Sequence, residues 1–536
     1  MKNFLLLLSI AFASTLIAQE PVFIDGSPAV NGESTSSNYS SAIVDVNQDG
    51  WEDIYIGSKN QPNKLFINNG DGTFTNLAAE YGLDYAGNTY TAVWADFDND
   101  GDPDCFLGNF NEPNALFENL GNGIFVNVAE ELGIAGNGKT RCATTADVNQ
   151  DGYLDIYVIN LTEHNEFYLS DGAGGYIDHY FPSGAIDSLI GMGAAFFDSD
   201  NDGDQDLYLL HDAYQINKLF INDGDGNFVN NAFSLGAAHG GEGMGVDITD
   251  FNHDGWMDIY ITNNYDGNVL LINDGDGSYT DISEEAGVVD NGMGWGVAFT
   301  DYNHDGHKDL YMANNYAFST FPNVLYSNQG DSTFQQVGQG TILDSPSAGA
   351  GIAVGDLDLN GTEDIVVANT LGGTSVGIEL FWNETIGNNW VAITLEGTIS
   401  NRDAFGSRVK LYSENFTQTD ELLSASGYSQ MNSKKLNFGL EQDAVVDSLV
   451  IRWPNGLVES YYDLDINQEH HFVEGAISLN TADGDLDGNL GLNIMDLLAL
   501  LQEFGCTDLD CLSDLTGDGN VTTADLLYLL ALYDLL

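Results

Sequence analysis

Positive charge is the scarcest property of this sequence. Only 13 Lys and Arg stand against 82 Asp and Glu among 536 residues, a formal net charge of −69. Such a surface repels phosphate backbones and anionic membrane surfaces, which excludes nucleic acid as a partner. Proline is scarce at 9 and cysteine scarcer at 4. Beyond the N-terminus no run reaches the roughly eighteen apolar residues a membrane span needs, so no span is expected. What is present contradicts a disordered acidic chain, since 43% of residues are hydrophobic and 11% aromatic. With 62 Gly, 25 Tyr and 28 Phe, the composition points to tight turns between aromatic-rich strands, a mainly β protein long enough for several domains.

Residues 1–18 carry Lys2, an apolar run from Phe4 to Phe12 and the small-residue end Leu16-Ile17-Ala18 before Gln19. That is the pattern of a secretory signal peptide, so the mature chain is expected to start at Gln19 and to be secreted, extracellular or held at the cell surface. In that compartment four cysteines permit two disulfides. Cys506 and Cys511 are close enough in sequence to close a small loop, whereas Cys105 and Cys142 either pair or remain free buried thiols.

The dominant feature is a repeat. An acidic nonapeptide begins at Asp45, Asp96, Asp147, Asp198, Asp250, Asp301 and Asp356, with spacings of 51, 51, 51, 52, 51 and 55 residues. Each unit has room for four short strands, the content of one propeller blade, so residues 19–383 are expected to form a seven-bladed β-propeller. An aromatic residue stands 22 positions before each motif, at Phe74, Phe125, Tyr176, Phe228, Tyr279 and Phe334, and Phe23 holds the same register before Asp45. The segment from Pro21 to Gly26 therefore reads as the outer strand of the last blade, closing the ring and removing an open edge. The nonapeptides fall on the turns between neighbouring strands.

Positions 1, 3, 5 and 9 of the nonapeptide carry oxygen ligands in every copy. They are Asp45, Asn47, Asp49 and Asp53; Asp96, Asp98, Asp100 and Asp104; Asp147, Asn149, Asp151 and Asp155; Asp198, Asp200, Asp202 and Asp206; Asp250, Asn252, Asp254 and Asp258; Asp301, Asn303, Asp305 and Asp309; Asp356, Asp358, Asn360 and Asp364. Glycine at position 6 lets the chain fold back. Several hard, flexible oxygens directed at one point suit calcium better than magnesium, which keeps more of its water. Asx turns alone would also use Asp, Asn and Gly. Seven copies retaining four oxygen positions favour the metal, because carboxylates this close repel one another unless neutralised.

These DxDxDGxxD loops resemble the FG-GAP or VCBS repeats of propellers related to integrin α-subunit heads. The resemblance implies calcium-rigidified blades and ligand recognition on one face of the disc. Copy seven departs by placing Asn360 where most copies have Asp.

Around Asn383 the period stops. Residues 384–477 contain Arg402, Arg408, Lys410, Lys434, Lys435 and Arg452, nearly half of all the basic residues, and alternate as strands do in Val391-Ala-Ile393-Thr-Leu395. A second, smaller β domain is expected. Its phrases Ser400-Asn401-Arg402-Asp-Ala404-Phe-Gly406-Ser-Arg408-Val409, Gly427-Tyr428-Ser429-Gln430, Phe438-Gly439-Leu440 and Trp453-Pro454-Asn455-Gly456 resemble the ASPIC/UnbV domain of the cartilage acidic protein family. Arg402 and Arg408 either clamp an anion or pair with propeller carboxylates and fix the domain interface.

Residues 478–536 hold two aligned segments 29 residues apart. Oxygen residues Asp485, Asp487, Asn489, Asn493 and Asp496, then Asp514, Thr516, Asp518, Thr522 and Asp525, follow the EF-hand spacing, and each loop leads into a leucine-rich helix. The first loop has Leu490 in place of the turn glycine. The duplicated loop–helix unit resembles a dockerin type I module, which implies docking onto a cohesin-like protein.

The sequence thus predicts a secreted calcium-binding adhesion or recognition protein, monomeric, with about seven calcium sites in the propeller and up to two in the C-terminal module. Its ligand is an extracellular glycan or protein. The alternative is a polysaccharide-degrading enzyme, hydrolase or lyase, or its cohesin-docked accessory subunit. No GxSxG, HExxH or P-loop occurs, and no catalytic residue is assigned.

Overall fold

The computed structural model describes residues 19–30, 37–136, 138–264, 266–315, 321–370, 377–385 and 387–476, together with Leu500, Leu501, Phe504 and Val521. The expected signal segment 1–18 and the pair Cys506 and Cys511 lie outside the described residues. Contacts divide the chain into two units, Met1–Phe472 and Val473–Leu536.

Seven blades of four antiparallel strands make up most of the first unit, the first extended to five by Gln430–Met431, which pairs parallel to its inner strand. In the first blade the strands run from the inside outward as Ser37–Val44, Asp53–Lys59, Lys64–Asn68 and Phe74–Asn76. The innermost strands of the next five blades are Thr89–Ala95, Thr140–Ala146, Gly191–Phe197, Gly243–Thr249 and Gly294–Thr300. Each inner strand packs against the next, and that of the seventh blade, Gly349–Gly355, packs against that of the first. This is the ring of a seven-bladed propeller.

The seventh blade closes as the aromatic register implies. Phe23–Asp25 pairs antiparallel with Ile378–Asn383, setting Phe23 opposite Asn383 and Ile24 opposite Trp382. Every aromatic 22 positions before a loop opens an outermost strand, as Phe125 does in Phe125–Asn127 and Tyr279 in Tyr279–Asp281.

Alternation of small and large apolar residues on the inner three strands of each blade fills the space between blades. Tyr55 and Trp94 meet edge to face at 5.3 Å between the first two blades, both fully buried. Such packing contributes stabilisation beyond the area it removes from water. Cys105 and Cys142 are buried free thiols in these cores, not a disulfide.

The second β segment forms two sheets. One pairs Leu436–Glu441, Asn389–Glu396 and Gln468–Val473, and the other orders Thr417–Glu421, Arg408–Ser413, Val446–Arg452 and Val458–Leu464. Its core residues Val391, Phe405, Leu411, Phe438 and Trp453 belong to one apolar cluster with Trp94, Phe106 and Val158 of the blades. The two compact units of the chain divide at 472/473. No helix among the described residues is long and apolar enough to cross a membrane.

Candidate metal centre

Each acidic nonapeptide joins the inner strand of its blade to the second strand, so all seven loops lie on one face of the ring. Their backbone is the same throughout. The position-6 glycines take φ between 86° and 105°, and position 4 is left-handed as well, with φ between 55° and 64° at Gln48, Asn99, Gln150, Asn201, His253, His304 and Leu359. These two reversals wrap the loop around its first residue. The glycine N–H donates to Oδ2 of the position-1 Asp in all seven copies at 2.7–3.1 Å.

The position-9 aspartates open the second strands and are the most deeply buried. Their Oδ1 atoms accept the N–H of Asn68, Asn119, Ser170, Asn222, Asn273, Asn328 and Asn383, the last residues of the third strands, at 2.7–2.8 Å. One carboxylate thereby ties loop, second strand and third strand together in every blade.

The side chains at position 3 decide how the carboxylates converge. Where that residue is Asp, three carboxylates bring oxygens within 4.8 Å of one another: Asp96, Asp98 and Asp104; Asp198, Asp200 and Asp202; Asp356, Asp358 and Asp364. Where it is Asn, the amide donates to the position-5 carboxylate instead, as Asn47 does to Asp49 at 3.0 Å, Asn149 to Asp151 at 2.9 Å, Asn252 to Asp254 at 2.9 Å and Asn303 to Asp305 at 3.0 Å. Asp204 at position 7 adds a fifth carboxylate to the fourth loop, with a buried Oδ1 that has no hydrogen-bond partner among the described residues. Asp485, Asp487, Asn489, Asn493, Asp496, Asp514, Thr516, Asp518, Thr522 and Asp525 of the C-terminal loops lie outside the described residues.

Burial dominates the electrostatics of these loops. It pushes the Asp53 and Asp104 carboxyls up to about 8 and those of Asp96, Asp147, Asp250 and Asp356 up to about 7. Asp155, Asp206, Asp258, Asp301, Asp309 and Asp364 are raised well above the carboxylate range, again chiefly by burial. Asp198 Oδ1 and Asp258 Oδ2 are buried and have no hydrogen-bond partner among the described residues. An all-oxygen donor set with lone pairs unused and ionisation opposed by burial fits a hard divalent cation, which restores the charged form.

The loops are also linked to one another. Position-4 side chains reach the position-6 carbonyl of the next loop: Gln48 to Gly101 at 2.5 Å, Asn99 to Gly152 at 2.8 Å, Gln150 to Gly203 at 3.3 Å and Asn201 to Gly255 at 3.3 Å. Between the fifth and sixth blades the contact is made by His253 Nε2 and His307 Nδ1 at 3.1 Å. Sequence reasoning passed over this position because its residue types differ from loop to loop.

The second β segment sits on this loop face. Asp403 Oδ2 accepts the N–H of Asp96 at 2.7 Å, and Asn99 Oδ1 accepts that of Arg402 at 3.0 Å. Arg408 donates to the carbonyl of Asp198 at 2.9 Å and to Glu421 at 2.6 Å, while Arg452 pairs with the Asp198 carboxylate. Lys308 pairs with Asp420 at 2.9 Å. Of the two arginines singled out by sequence, Arg408 is an interface residue. Arg402 pairs with Glu396 of its own segment at 2.7 Å.

From this segment, residues 424–433 enter the central channel. Ser41 N donates to Ser429 O at 3.2 Å, Thr144 Oγ1 to Ala425 O at 2.8 Å, Ser426 Oγ to Asp247 at 3.0 Å, Val297 N to Gln430 Oε1 at 3.2 Å and Val354 N to Asn432 Oδ1 at 3.2 Å. Gly351 makes room for it, since a Cβ there would stand 2.4 Å from Ser429 O. The tip, Tyr428, is fully buried against Met192, Met244, Ala350 and Trp295. Those four residues, with Tyr39, Tyr90 and Arg141, occupy one repeated position, six residues before each loop, at the far end of the inner strands.

Two family matches follow the repeat and the second β segment. The FG-GAP-like repeat family matches residues 45–107, 96–158, 147–209, 198–261 and 250–312, together half of the chain, and the ASPIC and UnbV family matches 397–478. The chain belongs to the FG-GAP-like repeat family. It is 25% identical over 481 residues to cartilage acidic protein 1 of Homo sapiens, covering 81% of this chain and 71% of that one. It is 24% identical to the Xenopus tropicalis protein of the same name over 471 residues, covering 79% and 71%. Among solved structures, BBS1N in complex with ARL6DN aligns with a TM-score of 0.43 and 11% identity over 69% of this chain and 98% of that one. YCF48 bound to D1 peptide aligns with 0.40 and 11% over 68% and 96%.

Proposed function

We propose that this is an exported, calcium-stabilised recognition protein in which the propeller presents the ligand surface and the ASPIC/UnbV segment braces it. The observation that carries the reading is the convergence of three carboxylates within 4.8 Å in the loops from Asp96, Asp198 and Asp356. Calcium would be held by the oxygens at positions 1, 3, 5 and 9 of each loop and would supply the positive charge that buried carboxylates need. The N-terminal secretory pattern supports export, and the similarity to cartilage acidic protein 1 fits an extracellular role. Residues 478–536 are proposed to tether the protein through their two EF-hand-like loops to a cohesin-like partner.

Recognition is preferred over polysaccharide cleavage because the repeated carboxylates serve the loops and the brace, which leaves binding as the use of the remaining surface. The test is a thermal melt of the mature chain in calcium and in EDTA, with terbium luminescence as an independent readout of the loops. A large drop in melting temperature on chelation, reversed by calcium and weaker for Asp104→Asn, is expected. An identical melt in EDTA, or terbium emission unaffected by saturating calcium, would remove the metal from the account.

A further inference from the structure

Among the described residues eight basic side chains, including Lys139, Lys218, Lys308 and Arg408, form ion pairs. Lys59 and Arg141 form none among the described residues, although the chain has 82 acidic side chains. Both stand at the channel mouth on the face away from the acidic loops, and both are held against the same ring. The Arg141 guanidinium lies 4.7 Å from the centre of Tyr90 and 5.0 Å from that of Phe110, and Lys59 Nζ lies 5.9 Å from Tyr90 and 5.8 Å from Tyr39.

Their hydrogen-bonding capacity is only partly used, since Lys59 Nζ donates to the Tyr90 hydroxyl at 3.5 Å and to nothing else among the described residues. Arg141 donates from Nη1 to Tyr428 at 3.4 Å, and among the described residues neither its buried Nε nor the indole N–H of Trp295 has a partner. Flat rings surround the two cations. Tyr39 stacks with Trp295 at 6.2 Å, and Trp295 leans on Tyr428 at 5.1 Å. An arginine whose Nη groups keep unused donors selects a planar carboxylate even where its Nε is shielded, and aromatic faces suit the C–H face of a pyranose ring.

We infer that this mouth binds a uronic acid residue of an otherwise neutral glycan, its carboxylate on Arg141 and Lys59 and its ring against Tyr39 and Trp295. The inference rests on the reading of the chain as a recognition protein and names the face and ligand class for it. A ligand with a single carboxylate is favoured because a run of acidic groups would meet the repulsion of a chain with net charge −69.

The test uses the full mature chain in calcium and titrates two probes calorimetrically. One is a xylotriose carrying a single methylglucuronate, and the other is neutral xylotetraose. The acidic probe should bind at least about tenfold more tightly, one charge-assisted hydrogen bond's worth. Lys59→Gln should weaken it about threefold to tenfold, and Arg141→Lys, which keeps the charge but loses the fork, by about tenfold or more. Equal affinity for the two probes overturns the proposal. So does an acidic tetrapeptide that binds more tightly than the acidic sugar, or undiminished binding in both variants. If neither sugar binds while the melt still depends on calcium, the uronate site fails and the calcium account stands. If sugar binding persists in a protein whose melt ignores calcium, the reverse holds.

Discussion

Gln430 lies beside Ser41 as a parallel neighbour on the inner strand of the first blade, while its side-chain amide bonds both main-chain groups of Val297 in the sixth. One glutamine from outside the ring thus joins two blades that are not neighbours in it, with the seventh standing between them. Tyr428, two residues earlier, fills the channel end. The ASPIC/UnbV segment is therefore part of the propeller's own core, and the cooperative unit is the ring with its plug.

Tyr428→Ala should accordingly destabilise the whole first unit, although it lies outside every blade. The side chain is fully buried, and truncating such an aromatic costs about 3–5 kcal/mol. Urea unfolding followed by tryptophan fluorescence and far-ultraviolet circular dichroism should show both signals moving together to a lower midpoint. Two separate transitions, with the propeller signal unmoved, would mean that the plug is only lodged in the channel and does not support it.

How much of this was legible in the sequence follows from where periodicity exists. The seven loops repeat in type and spacing, so their place between strands and their number could be read directly, and Phe23 kept the register that gave away the closing strand. The plug has no such signal. Residues 424–433, Ser-Ala-Ser-Gly-Tyr-Ser-Gln-Met-Asn-Ser, look like a polar loop, and they meet several blades through different groups. Position 4 of the loops hid for the opposite reason: one left-handed backbone conformation serves Gln48, Asn99, His253 and Leu359 alike, so chemistry varied where geometry did not. Arg452 and Asp198 pair across 254 residues, a distance that local pattern does not bridge.

Deleting Pro21 to Ser27 tests the closure. Phe23–Asp25 supplies the outer strand of the seventh blade, and the flanking groups add Gly26 N to Leu380 O and Glu384 N to Val22 O, both at 2.8 Å. Removing these hydrogen bonds should cost about 3 kcal/mol or more and leave Ile378–Asn383 as a bare edge. A sharply lower melting temperature, with dimers or larger species on size exclusion, is expected. An unchanged melt would show that the ring holds without its closing strand.

Asp247 gives a pH signature separate from the loop carboxylates. It lies on the inner strand of the fifth blade, accepting the N–H of Phe299 at 2.8 Å and the hydroxyl of Ser426 at 3.0 Å, and burial pushes its carboxyl up to about 7. A group whose folded pKa is raised contributes stability that is complete below its unfolded value, about 4, and is lost as pH rises through its folded value. Asp247→Asn cannot titrate and resembles the protonated form. The variant should therefore gain on the wild type as pH rises from about 4 to about 7, by at most about 1.4 kcal/mol per pH unit, and hold a constant advantage above that. Urea midpoints at a series of pH values in saturating calcium would measure the difference, with the loops common to both proteins cancelling. A difference independent of pH would mean that Asp247 stays charged in the folded chain, compensated by the plug hydroxyl and the Phe299 amide, and that the channel wall tolerates a buried carboxylate.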